Sequence, residues 1–364
     1  MTSHNNELYQ NRIMAVRQQL DTWGVDGVLI SSPSNRRWLS GFTGSNAKLL
    51  LTKDAALLAT DFRYWEQAAA QAPDFTLFKH QRRVEDDAAF FTAVSATHIG
   101  IEANHVTLAE FERLQKATSH NWVSLAETVE PLRQVKTADE IATIAAAAAI
   151  TDQAMAQVNT LARPGMSEQE LAWILERTMR ELGADEMAFA VIVASGPNAA
   201  LPHHHPGERV LQAGDTLIVD MGAALHDYKS DMTRTFYLGN EPDTQFWTIY
   251  NLVLAAETAV LTHAKPGMNT KEIDALARDP ITATGHGDHF GHGLGHGVGL
   301  DIHENPFLSH LYEGKPVTAG MTVTVEPGIY IPGWGGVRIE DLCHVTDNGL
   351  ESLSHCPKTP IIPC

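Results

Sequence analysis

The chain has 364 residues, 44% of them apolar and 19% charged, with a formal net charge of -18. That length suggests two domains, and that composition supplies apolar material for the core of an ordinary globular protein. The acidic balance repels phosphate backbones, which argues against a nucleic-acid partner, while acidic clusters attract divalent cations.

Cys343, Cys356 and Cys364 are few, late and odd in number, with no C-x-x-C pair. They suit a reducing compartment better than a disulfide framework. The polar start "MTSHNNELYQNR" has no signal-type apolar region, and the longest apolar run, Ile144 to Ile150, is mostly alanine and short of a membrane span. A cytoplasmic protein with no membrane partner is expected.

Along the first 131 residues, "DGVLISS", "KLLLT" and "AALLATD" read as strands and "DFRYWEQAAAQA" as a helix. Strands alternating with helices predict a small α/β domain over 1–131. A second domain is expected over 132–364. It opens on an alanine-rich helix whose start carries a capping box, Thr137 with Glu140.

The second domain contains an internal repeat. "ARPGMSEQELAWIL" resembles "AKPGMNTKEIDALA" 102 residues later, and "AGDTLIVDMG" resembles "AGMTVTVEPG" 106 residues later. Two similar αβ halves follow, each presenting a strand with an acid near its end: Asp220 in one, Glu326 in the other. Each half offers a second acid, Asp231 and Glu340, on what reads as the returning arm of a hairpin. Strand alternation puts Arg338 and Glu340 on one face and Asp341 on the other, unless a bulge intervenes. The strands "TLIV" and "TVTV" look buried, and buried acids need partners. Basic residues nearby are too few to pair four converging carboxylates, whereas two divalent cations match their charge.

The stretch "GHGLGHGVGLDIHE" from Gly291 sets three histidines among five glycines. The glycines make a helix costly. In an extended chain His292, Leu294, His296 and Val298 share one face, and the bare glycine face lets another backbone or a substrate approach. Imidazole with several carboxylates suits Mn, Co, Fe or Zn and implies hydrolysis of a polarised carbonyl or phosphoryl group. A phosphohydrolase is the less suitable reading because no basic phosphate cradle is present. In "LPHHHPGERV", His203 and His205 share a side when extended, with an exposed polar loop as the alternative for at least one of the three histidines.

These motifs resemble the pita-bread metallopeptidases, the group of methionine aminopeptidase, prolidase and aminopeptidase P. The resemblance rests on "ALPHH", "VDMGA", "SDMTRTF", "GHGLGHGVGLDIHE" and "VEPGIYIPGWGGVRIEDL", in that order, and spans roughly 132–358. It implies an α+β class: a C-terminal pita-bread fold with a pseudo-two-fold repeat, preceded by the smaller domain. It also implies that Asp220 chelates one metal, Asp231 and Glu340 bridge two, and His296 and Glu326 hold the other. Glu326 is further implied as a proton shuttle, His203 and His303 as catalytic hydrogen-bond donors, and His292 and Arg338 as substrate-binding groups. All five ligand types are intact, which disfavours the ligand-free creatinase-like branch.

The motifs "GFTGSNAKLLLT" and "TDFRYWEQA" resemble the creatinase-type N-terminal domain of bacterial Xaa-Pro peptidases. In such enzymes Arg63 would either contact substrate across a homodimer or pair with Asp61 within its own turn. The resemblance therefore implies a metallo-exopeptidase with two divalent metal ions, manganese first. Its substrate would be a peptide with proline at the second position, cleaved as by a Xaa-Pro aminopeptidase. The alternatives are a Xaa-Pro dipeptidase and, in another class, a non-catalytic binding protein on the same fold.

Overall fold

A computed structural model describes residues 3–81 and 83–364. Met1 and Thr2 of the polar N-terminal stretch lie outside the described residues. The chain divides into two compact units, Met1–Arg133 and Gln134–Cys364.

In the first unit, six strands form one mixed sheet: β1 (Gly27–Ile30), β2 (Lys48–Thr52), β3 (Ala56–Thr60), β4 (Thr76–Lys79), β5 (His98–Glu102) and β6 (Asn121–Leu125), in the order β4-β3-β2-β1-β5-β6. β1 and β2 read as near-continuous apolar runs because both faces are covered, with Val28, Leu29, Leu49 and Leu50 fully buried. The predicted helix forms over Trp65–Gln71.

The second unit is built from the expected repeat. Helix Glu168–Glu181 starts at the Ser167/Glu170 capping box and helix Thr270–Ala283 at the Asn269/Glu272 capping box. Each start is tied to the segment before the next strand in the same way. Gly165 donates to the Leu211 carbonyl and Gly267 to the Val317 carbonyl. The first half contributes β7 (Glu186–Met187), β8 (Ile192–Ser195), β9 (Thr216–Met221), β10 (Ala223–Leu225), β11 (Tyr228–Lys229) and β12 (Met232–Leu238). The second contributes β13 (Gly295–Gly297), β14 (Glu304–Leu308), β15 (Thr322–Val325), β16 (Gly328–Ile331), β17 (Gly335–Arg338), β18 (Asp341–Thr346) and β19 (Gly349–Ser352), and the tail adds β20 (Ile361–Ile362). Two larger sheets result, ordered β20-β12-β9-β8 and β14-β13-β15-β18-β19. The architecture is the α+β pita-bread fold.

Both predicted hairpins form. β9 and β12 pair antiparallel with Asp220 opposite Thr233, so Asp231 immediately precedes the returning strand. β15 and β18 pair with Val325 opposite Asp341, and the small β16–β17 hairpin projects between them. Glu326 and Glu340 thus flank the same end of one ladder, as Asp220 and Asp231 do in the other half.

One sequence expectation needs correction. Residues Ala138–Leu161 are long and apolar enough, by length and composition, to cross a membrane. The apolar face is spent inside the fold: Ile144, Ala147, Ala148, Ala154 and Met155 on the helix Ala138–Ala156 are all buried.

Candidate active site

The ends of the two ladders open into a cavity of about 560 Å³. Nine of the ten residues singled out above line it: Asp220, Asp231, His296, Glu326, Glu340, His203, His292, His303 and Arg338. The tenth, Arg63, belongs to the first unit. It donates from Nε and Nη2 to the two Asp61 carboxylate oxygens, both at 2.8 Å, which is the within-turn pair.

The glycines of "GHGLGHGVGL" are explained by neighbouring backbone. A side chain at Gly295 would put its Cβ 2.1 Å from the Thr324 carbonyl oxygen, and one at Gly297 would come 2.5 Å from that of Asn305. The glycine face therefore serves backbone approach rather than substrate approach. It seats β13 against β15, so His296 N–H donates to Thr324 Oγ1 at 3.0 Å. The simple alternation is interrupted by a register shift between Gly295 and Gly297. Leu294 and Val298 go into apolar clusters, while His292 and His296 line the cavity.

Electrostatics set the chemistry. Asp231 and Glu340 are buried and Glu326 is partly buried at the cavity floor, where Arg338 is the one guanidinium among the described lining residues. Burial, followed by repulsion from Glu340, pushes Asp231 well above the usual carboxylate range. Burial and then Glu326 do the same to Glu340, and burial pushes Glu326 up to about 8. Thr233 Oγ1 donates to Glu340 Oε2 at 2.6 Å and Thr324 Oγ1 to Glu326 Oε1 at 3.3 Å, which orients both carboxylates without neutralising them. Arg338 Nη2 donates to Asp220 Oδ2 at 2.7 Å. Asp220 Oδ1 is buried with no hydrogen-bond partner among the described residues.

His296 supplies the sharpest test of what belongs there. Its Nδ1 faces the Gly297 carbonyl at 3.1 Å and so carries the proton. Burial holds its pKa down near 4, so the ring is neutral and Nε2 presents a lone pair. That lone pair points at Glu326 Oε1 at 3.4 Å and Asp231 Oδ2 at 3.6 Å. One imidazole lone pair and two carboxyl groups whose pKa values are raised crowd one space, an arrangement in which a cation can take the place of the carboxyl protons. Ligand atoms of Asp231, His296 and Glu340 lie within 4.8 Å of one another. The donor set fits a divalent metal ion.

His292 is held differently. Its Nδ1 donates to the Gly293 carbonyl at 2.7 Å, so Nε2 accepts from the Tyr330 hydroxyl at 2.9 Å. Arg338 Nη1 in turn donates to Tyr330 at 2.8 Å. His303 is exposed to the cavity, its ring centroid 4.3 Å from that of His296, and desolvation and then His203 lower its pKa.

Sequence reasoning missed three features. Tyr330 links His292 to Arg338, and nothing in "GIYIPGW" marks it out. The cavity wall also carries Phe189, Ile192, Phe307, Leu311 and Tyr312, apolar residues without a motif. Glu168, the first residue of helix Glu168–Glu181, is fully buried and accepts from Ser195 N and Oγ, from Asn198 and, at 2.8 Å, from His204 Nε2. His204 is thus tied inward, while His203 and His205 are exposed on the cavity side.

Residues 142–347 match metallopeptidase family M24, and residues 12–135 match the creatinase/prolidase N-terminal domain. The chain belongs to metallopeptidase family M24. This M24 protein is an enzyme, a metallo-exopeptidase that acts on peptides with divalent metal at its site. A Xaa-Pro dipeptidase from Bacillus anthracis shares 39% identity and superposes with a TM-score of 0.94 over 97% of this chain and 99% of that one. The Xaa-Pro dipeptidase of Pyrococcus furiosus is 34% identical over 349 residues, 95% of this chain and 98% of its own length. An X-Pro aminopeptidase from Thermotoga maritima is 34% identical with a TM-score of 0.86, covering 94% of this chain and 99% of that one. The sequence put aminopeptidase action ahead of dipeptidase action, and the relatives reverse that order.

Proposed function

We propose that this M24 peptidase is a Xaa-Pro dipeptidase that hydrolyses the bond between an N-terminal residue and a C-terminal proline. The observation that carries the reading is full-length similarity to chains named Xaa-Pro dipeptidase. Similarity to the Thermotoga maritima enzyme keeps Xaa-Pro aminopeptidase action as the second reading.

Asp220, Asp231, His296, Glu326 and Glu340 would hold two divalent ions, manganese first. Bound there, the metals supply Lewis-acid polarisation of the scissile carbonyl and lower the pKa of water. The chain's own groups do the rest. Glu326 takes the proton from the attacking water and passes it to the proline nitrogen as the bond breaks. His203 and His303 donate hydrogen bonds to the oxygen that gains charge. Proline's nitrogen has no N–H, so the apolar wall of Phe307, Leu311 and Tyr312 can receive the ring without offering it an acceptor. Arg338, the one arginine lining the cavity, is already committed to Asp220, so the exposed histidines are the groups left to meet a proline carboxylate. A cytoplasmic homodimer completes the reading, supported by the three free cysteines for the compartment and by the resemblance of the N-terminal motifs for the dimer.

Turnover of Ala-Pro and Ala-Pro-Ala, before and after chelation and manganese addition, tests this. Metal-restored cleavage of Ala-Pro alone is expected. Cleavage of the tripeptide alone would make the enzyme an aminopeptidase. Metal-independent or absent turnover of both by folded protein would revive the binding-protein alternative.

A further inference from the structure

The C-terminal segment "SHCPKTPII", 354–362, takes no part in the cavity, yet it is built into the back of Glu340. The Glu340 backbone N–H donates to the Thr233 carbonyl at 3.1 Å, and its own carbonyl accepts from Arg234 Nη1 at 2.6 Å. Arg234 is 2% exposed, and its guanidinium is aimed by three further acceptors: the Cys356 carbonyl at 2.7 Å, Asp341 Oδ1 at 2.8 Å and the Thr233 carbonyl at 3.0 Å. The second Asp341 oxygen accepts from Lys358 Nζ at 2.7 Å, and that ammonium also meets Glu257 Oε1 at 2.6 Å. The segment itself is clamped. Asp152 accepts from the His355 and Cys356 N–H groups, Tyr250 donates to the Lys358 carbonyl, and β20 pairs with β12.

We infer that Lys358 is a positioning residue for the metal centre: through Asp341 and Arg234, the C-terminal segment fixes the direction in which the Glu340 carboxylate is presented. This rests on the reading of Glu340 as a metal-holding residue. Arg234, Lys358, Asp341 and Glu257 form a charge-neutral set inside the protein. Without Lys358, Asp341 Oδ2 loses the ammonium that holds it, and with Glu257 still charged two buried acids are also left facing one guanidinium. Asp341 and Arg234 then lose their fixed geometry, and the hydrogen bond to the Glu340 carbonyl goes with it. Groups that orient metal-holding side chains from behind act on affinity in this way. The effect reaches Glu340 through the neighbouring residue, with no contact between Lys358 and the cavity lining.

The experiment is manganese binding to metal-free full-length protein by chelator competition, with thermal unfolding of the same samples. Lys358→Met is expected to weaken manganese binding by ~10-fold or more. Glu257→Gln/Lys358→Met restores charge balance and guards against a fold lost to an unpaired acid; its affinity should stay reduced while its unfolding temperature recovers. Wild-type affinity in either folded variant would overturn the positioning role and leave Lys358 as a stabilising charge only. Failure of the wild-type protein to bind manganese would sink the metal-centre reading itself, and this inference with it.

Discussion

Arg338 and Asp220 meet at 2.7 Å at the cavity floor, and the bond uses only one of the two Asp220 oxygens. Among the described residues lining the cavity, Arg338 is the one arginine or lysine beside four acidic side chains. Arg338→Met should therefore destabilise the metal-free protein by roughly 3–5 kcal/mol, the usual cost of orphaning a buried charge. Saturating manganese should recover much of that loss. Thermal unfolding with and without metal measures both, and equal melting temperatures for variant and wild type without metal would refute the account.

Asp231→Asn removes an acid whose burial, and then repulsion from Glu340, Asp220 and Glu326, raises its pKa. The metal-free variant should melt no lower than wild type, because that repulsion is gone. Its metal affinity and activity should fall by at least about 100-fold, since removal of a direct ligand exceeds the effect of supporting groups. Opposite signs in the two assays distinguish a metal-holding acid from a structural one.

Metal affinity should depend on pH with a definite sign. Burial raises Glu326 to about 8, so below that pH the metal-free protein holds a proton there that metal must displace. Affinity should rise from pH 6 to about 8 and then level off. His296, near 4, is already neutral throughout and adds no slope. Calorimetric titrations in buffers of different ionisation enthalpy should show protons released on binding at pH 7; no release would contradict the raised carboxylate.

Glu168 lies behind the histidine loop. Glu168→Gln places an amide N–H against the donors of Ser195, Asn198 or His204, a buried mismatch of about 1–3 kcal/mol. The loop bearing His203 should lose its fixed position, so kcat/KM should drop by roughly 10-fold or more. Manganese affinity should stay unchanged, because no metal-holding candidate touches Glu168. Steady-state kinetics beside metal titration tests the split.

The two halves and their acids were legible because repetition survives as sequence similarity. "AGDTLIVDMG" and "AGMTVTVEPG" announce a strand ending in an acid twice over. The separation of Glu340 from Asp341 was legible too, since a period of two residues places neighbours on opposite sides of a strand. Asp341 indeed turns to Arg234 and Lys358. Tyr330, Glu168 and the Lys358 network were not legible. Each is defined by a partner 8 to 107 residues away, as in Tyr330–Arg338 and Arg234–Asp341, and local pattern carries no record of such pairs.

The order of histidines, glycines and acids along the chain by itself determined the repeat and the paired acids, which follow from period and spacing, and through its resemblance to a known family it implied the fold class and the five groups that could meet a metal. Tertiary structure alone decided which way those groups face. The carbonyl of Gly297 selects the His296 tautomer, Thr324 passes beneath Gly295, and Arg338 claims one oxygen of Asp220 and leaves the other bare. Those outcomes depend on distances between strands brought together by folding, and on the loss of water that makes an unpaired acceptor costly.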